Sequence, residues 1–113
     1  MLLRTINVAS DFSRTPGGRY REDSDNSGQR FREDVLVPAL NHEPKFDRVV
    51  IELDGVFGYP SSFLEEAFGG LIREEGFRSA DLIQKIEFKA KSPRFNTDAY
   101  RARQYILDAD RVR

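Results

Sequence analysis

The stretch Arg48-Val49-Val50-Ile51-Glu52-Leu53-Asp54-Gly55-Val56 constrains the fold more than any other part of the chain. Val49, Val50 and Ile51 form a continuous β-branched run. A strand that is apolar on both sides belongs in the middle of a sheet with both faces covered. The flanking segments alternate strand and helix, which suggests a sheet with helices laid on it. Residues 2–12 place Leu3, Ile6, Val8 and Phe12 among polar positions and read as a strand. Ser13-Arg14-Thr15-Pro16-Gly17-Gly18 is turn chemistry, and Arg19-Tyr20-Arg21-Glu22 is expected to return as a short second strand, forming a hairpin.

Ser27 is placed to cap a helix from Gly28 to Leu40, where Phe31, Val35, Leu36, Ala39 and Leu40 recur at helical spacing. Pro38 removes an interior backbone donor, so the last turn is expected to be kinked or irregular. Ser62-Phe63-Leu64-Glu65 has the spacing of a capping box. The helix it opens, residues 63–75, carries Phe63, Leu64, Ala67, Phe68, Leu71 and Ile72 as one stripe and ends at Gly76. Gly69 and Gly70 inside it each cost roughly 1 kcal/mol relative to alanine; close packing of the helix on the sheet would account for them. A helical turn over 79–84, a strand over 85–90 and a final helix over 97–110 complete the chain. The buried side of that last helix is expected to hold Ala99, Tyr100, Ala102, Ile106 and Leu107. Residues 1–113 thus read as one α/β domain: a small mixed β-sheet with about three helices packed on it.

Several function classes are disfavoured. With 18 basic and 19 acidic residues the chain lacks the basic surplus of a nucleic-acid binder. It has no cysteine, hence no disulfide or thiolate metal site. No apolar run approaches the roughly 20 residues of a membrane span, and the first residues lack the apolar block of a signal peptide. A cytoplasmic location is expected. His42 is the single histidine and sits in a linker, which leaves neither a Ser-His-Asp arrangement nor a zinc site. Pro16-Gly17-Gly18 lacks the lysine and Ser/Thr of a phosphate loop. No catalytic residue, metal or cofactor is expected, and the chain does not read as an enzyme.

Three polar features remain. Asp11 and Asp54 fall near strand ends, where α/β sheets bind ligands; Asp54 also suits a turn, bonding backbone N–H groups. A receiver-type phosphoacceptor would need five βα units and a second acid beside Asp11, and about three units are visible. Ser61 and Ser62 lie between the central strand and its helix. A helix N-terminus tolerates a phosphate, but on chemistry alone the plainer role for Ser62 is to cap the helix, worth about 1 kcal/mol.

The strand followed by Asp54-Gly55-Val56, then Ser61-Ser62 and an amphipathic helix, resembles the STAS domain of anti-sigma factor antagonists. The chain is more similar to STAS-like domains of unknown function from bacteria and phages. That similarity lies at Asp11-Phe12-Ser13, at Ser27-Gly28-Gln29-Arg30-Phe31-Arg32, and at Ser61 through Leu71, and covers about residues 5–90. The resemblance implies a STAS-like α/β fold and a regulatory protein-binding role. It implies Ser62 as the phosphoacceptor and a histidine-kinase-like ATPase as partner. The antagonist pattern has an acidic residue where Pro60 stands and a glycine where Phe63 stands. On this reading the partner surface comprises Ser61, Ser62, Phe63, Glu65 and Glu66, with Asp11, Ser27 and Arg32 at the same end of the sheet. Helix capping by Ser27, and pairing of a surface Arg32 with a nearby acid, are the plainer roles for those two. One competing reading is a passive assembly module, including a homodimer, in which Ser62 is only a cap. Its contacts would come from a sheet edge or from the arginines at 94, 101, 103, 111 and 113, although Asp98, Asp108 and Asp110 among them fit a solvated face better. Another is a nucleotide or small-ligand pocket formed by Asp11, Asp54 and Ser62.

Overall fold

A computed structural model describes residues 1–111; Arg113 lies outside them. Three strands, β1 (Leu3–Asn7), β2 (Arg48–Glu52) and β3 (Ile86–Lys89), form one sheet in the order β1-β2-β3. Both pairings are parallel, with Ile6 opposite Ile51 and Ile51 opposite Phe88. The β-branched run is central as its composition requires. Val49 and Ile51 are fully buried with Ile6 and Ile86 against the helices.

The other face is built differently from the expectation. Val50 is buried there, but Leu3, Thr5, Arg48 and Lys89 on the same side are exposed. Polar side chains lace this face: Asn7 donates to Glu52 at 3.3 Å, and Arg48 and Lys89 lie 3.6 and 3.8 Å from Glu87. With strand order 1-2-3, both crossovers run the same way. Connections of one hand therefore place their helices on one face.

Among the described residues five helices accompany the sheet. α1 (Val8–Asp11) is a single turn that ends the first strand earlier than the alternation suggested. Asn7 Oδ1 accepts from Ser10 N at 3.1 Å while Asp11 Oδ2 accepts from Asn7 N at 2.8 Å, a reciprocal cap. The expected hairpin strand at Arg19–Glu22 is absent. Its place is taken by a loop whose Gly18 and Arg19 carbonyls accept from Gly28 and Gln29 N–H at 2.9 and 3.0 Å. These bonds satisfy otherwise free donors at the start of the next helix, so the sheet gains no antiparallel strand and is wholly parallel.

α2 (residues 28–40) and α3 (residues 61–73) are the two long crossover helices. Each contains a π-helical turn, Arg32–Leu36 and Glu65–Gly69 respectively. Ser27 caps α2 as expected, its Oγ accepting from Arg30 N at 3.1 Å. The irregularity expected from Pro38 lies one turn earlier, in the π turn. α3 is followed by Gly76 at φ 78°, a left-handed stop that glycine adopts freely. α4 (Ser79–Lys85) leads into β3, and α5 (Asn96–Arg111) packs across α3. Ala102, Ile106 and Ala109 form its buried side. Tyr100 is 64% exposed, because two positions from Ala102 it points to the far side of the helix.

Aromatic rings join the layers. Phe31 of α2 lies 5.7 Å from Phe63 and 6.2 Å from Phe68, both on α3, and Phe68 lies 5.0 Å from Phe88 on β3. α2 and α3 also approach closely through their backbones: a Cβ at Gly28 would lie 2.5 Å from the Phe63 carbonyl oxygen. The position of α3 is therefore fixed from two sides, by the sheet and by α2.

Candidate functional site

The chain enters α3 at Ser61, two residues earlier than the capping-box spacing predicts. Pro60, at φ −60° and ψ 144°, is the flanking residue, and no side chain caps the helix. Phe63 N and Leu64 N bond to the Pro60 carbonyl at 3.1 and 3.2 Å. Ser62 therefore sits in the first turn and does not cap. Among the described residues no hydrogen bond reaches the hydroxyl of Ser61 or Ser62. Ser61 is exposed and Ser62 half-buried. The Ser61 and Ser62 amides precede these bonds, at the positive end of the helix dipole.

The remaining residues of the expected surface separate into distinct jobs. Phe63 is fully buried in the aromatic core and offers no surface to a partner. Ser27 is likewise buried as the α2 cap, and Asp11 is committed to the cap of α1. Arg32, expected on the surface, is 2% exposed. Its Nη1 donates to Glu66 Oε2 at 2.6 Å and to the Glu66 carbonyl at 2.8 Å, and its Nε donates to Glu75 at 3.0 Å. Glu66 is 4% exposed. This buried pair joins the π turn of α2 to that of α3, each of which holds one partner.

A shell of exposed and half-buried charges surrounds the pair. Arg19 Nη1 bonds Glu65 at 2.5 Å and Glu66 at 3.2 Å, and Arg73 bonds both glutamates from two turns further along α3. Burial pushes the Glu65 carboxyl up, but hydrogen bonds from Arg73 and Arg19 together outweigh it and hold the group below the usual carboxylate range. Arg19 and Arg73 had no local signal in the sequence, since Arg19 lies 46 residues from Glu65.

Gly70 completes this arrangement. A Cβ there would stand 2.2 Å from Arg32 Nη1. The two mid-helix glycines thus serve the ion pairs and not packing on the sheet: a Cβ at Gly69 would stand 2.6 Å from Glu65 Oε2.

The strand-end acids do not converge. Asp54 accepts from the backbone N–H of Lys91 and Ser92, each at 2.8 Å. These two bonds hold its carboxyl below the usual range. It lines a groove with Phe88 and Asn96, whereas Asp11 lines another with Arg4 and His42. Asp11, Asp54 and Ser62 therefore do not build one pocket.

The loop that delivers the chain to Ser61 is held by arginines that the sequence reading assigned to other roles. Arg14 Nε donates to the Gly55 carbonyl at 3.3 Å, Arg94 donates to the Phe57 carbonyl, and Arg101 Nη2 donates to the Tyr59 carbonyl at 3.1 Å. The Tyr59 hydroxyl donates to the Leu53 carbonyl at 2.7 Å, and burial raises its pKa. Three alternate carbonyls of one loop are thus pinned from three separate elements.

Comparison with known families places this architecture. The family model described as a STAS-like domain of unknown function (DUF4325) matches residues 27–94. The chain belongs to this family. The match runs from the α2 cap to Arg94 and so spans Arg32, Glu66, α3, β2 and β3, while Arg19 and β1 lie before it. No curated protein and no solved structure matches the chain. Among the described residues no helix is long and apolar enough to cross a membrane.

Two outcomes test the network of this STAS-like domain. Arg32→Ala is expected to cost about 3–5 kcal/mol in urea unfolding, because it strands a buried glutamate. Gly70→Ala should destabilise the wild type but be neutral, or stabilising by up to about 1 kcal/mol, in the Arg32→Ala background, where only helix propensity remains. An equal cost in both backgrounds would show that Gly70 does not serve Arg32.

The second outcome concerns pH. Glu65 is depressed in the folded state, so its contribution is complete above its unfolded pKa of about 4.3 and is lost as pH falls through the folded value. Glu65→Gln should flatten the stability–pH slope below about pH 4. An unchanged slope in denaturant titrations would contradict the assignment.

Proposed function

We propose that this protein is a non-enzymatic regulatory module that binds another protein through the start of α3. In this reading Ser62 is the phosphoacceptor, the partner is a histidine-kinase-like ATPase, and the setting is the cytoplasm. The observation that carries it is the uncapped helix start: Ser62 has a hydroxyl in the first turn with no hydrogen bond among the described residues. A conformational role would use that oxygen, and here Pro60 and the α2 contact fix the helix without it.

The local physics favours a charge switch over a folding switch. A phosphate on Ser62 would meet the positive helix end, so it would leave α3 intact. It would place nearly two negative charges on the surface. Ser61 and the accessible part of Glu65 flank it. Phe63, Glu66, Ser27 and Arg32 support this surface from beneath. Membership of a STAS-like family agrees with such a role, although a shared fold does not by itself fix function.

The test compares wild type, Ser62→Ala and Ser62→Asp as baits, with captured proteins identified by mass spectrometry. An ATPase of the histidine-kinase type is expected with wild type and Ser62→Ala and lost with Ser62→Asp. That ATPase, supplied with ATP, should add one phosphate to wild type and none to Ser62→Ala. Equal capture of the ATPase by all three baits would overturn the switch and leave a binding module without phosphorylation.

A further inference from the structure

The loop before Ser61 forms one wall of a groove of about 440 Å3, lined by Thr15, Pro16, Phe57, Gly58, Tyr59 and Pro60. Phe57 is 71% exposed at its edge. An aromatic ring left this open, beside a buried tyrosine and two prolines, is the kind of anchor that protein interfaces cover. The rim of the groove is cationic. Arg14, next to Thr15 of the lining, donates to the Gly55 carbonyl and Arg94 donates to the Phe57 carbonyl of the groove's wall, and among the described residues neither makes an ion pair. The nearby acids are already engaged: Asp54 with backbone N–H groups and Asp98 with Arg101 at 2.6 Å. Two guanidiniums that make no salt bridge among the described residues thus flank an apolar cleft.

We propose that this groove docks an acidic segment of a protein partner, an apolar side chain of that segment packing on Phe57 and Pro60 while its carboxylates pair with Arg14 and Arg94. A carboxylate suits the planar fork of a guanidinium. A basic segment would be repelled, and two cations on a chain of net charge −1 are too few for a nucleic-acid track. The inference rests on the reading that the start of α3 faces a partner, and it names the chemistry of that partner. It also supplies a physical route for regulation. Ser62 lies two residues beyond Pro60, so a phosphate there adds negative charge at the end of the groove and repels the acidic segment.

The experiment pans displayed random peptides on the full chain and measures the enriched peptides by fluorescence anisotropy. Enriched sequences are expected to place Asp or Glu beside an apolar residue. Their affinity should fall about tenfold for Arg14→Gln/Arg94→Gln, in which glutamine still offers a donor to the carbonyls. It should fall similarly for Phe57→Ser, whose exposed side chain the fold does not need, and it should fall as ionic strength rises from about 0.1 M to about 1 M. Unchanged melting of both variants shows that the fold is kept. No enrichment, enrichment of basic or uncharged peptides, or equal binding by both variants would overturn the proposal. Ser62→Asp separates the two readings. If the arginine and Phe57 variants lose binding and Ser62→Asp does not, the groove stands and the phosphoserine switch fails. If only Ser62→Asp loses binding, the groove fails and the switch stands.

Discussion

The buried contact between Arg32 and Glu66 is the constraint on which the rest of this structure depends. Two charges with almost no exposure cost several kcal/mol each to desolvate. The chain offsets this by giving Arg32 a carboxylate, a backbone carbonyl and a second carboxylate together. The geometry demands room, and Gly70 provides it where a methyl group would collide with the guanidinium. Both helices carry a π turn at the contact. A π turn adds a residue and re-aims the side chains that follow, a device common at functional sites.

What this constraint achieves is a fixed start for α3. α2 holds α3 by the ion pair, by the Phe31–Phe63 contact and by the close approach at Gly28. The preceding loop is held by arginines on alternate carbonyls. The helix therefore begins at Ser61 without a capping side chain, and the Ser62 hydroxyl is left without a structural task. Rigid support beneath an uncommitted hydroxyl is what the proposed surface switch would require, since a charge added there would leave the fold in place.

Much of the fold was legible because its signals are local. The Val49–Ile51 run identified the central strand, the helical stripes located α2, α3 and α5, and Ser27 was recognisable as a cap. Other signals were ambiguous locally and were decided by tertiary contacts. Arg19–Glu22 could read as a strand, but its neighbouring carbonyls serve the α2 donors. Ser62-x-x-Glu65 has capping-box spacing, yet Glu65 bonds Arg19 and Arg73 instead. The α/β class followed from periodicity, whereas the wholly parallel sheet followed from that missing hairpin strand. Of the candidate site, Ser61 is exposed and Ser62 half-buried in the first turn of α3. Arg32 and Glu66 are inside, because partners 34 residues apart meet only in the fold. No spacing rule links such distant residues, and none would reveal that Arg14, Arg94 and Arg101 converge on one loop.

The measurement that tests the central claim most directly is the stability of Ser62→Ala in urea. If α3 is positioned by Arg32–Glu66 and begins at Ser61 without a cap, the substitution should change stability by no more than about 0.5 kcal/mol, as for a site outside any structural bond. A loss of about 1 kcal/mol or more would show that Ser62 caps the helix after all, and the account of an uncommitted hydroxyl on a fixed helix start would be wrong.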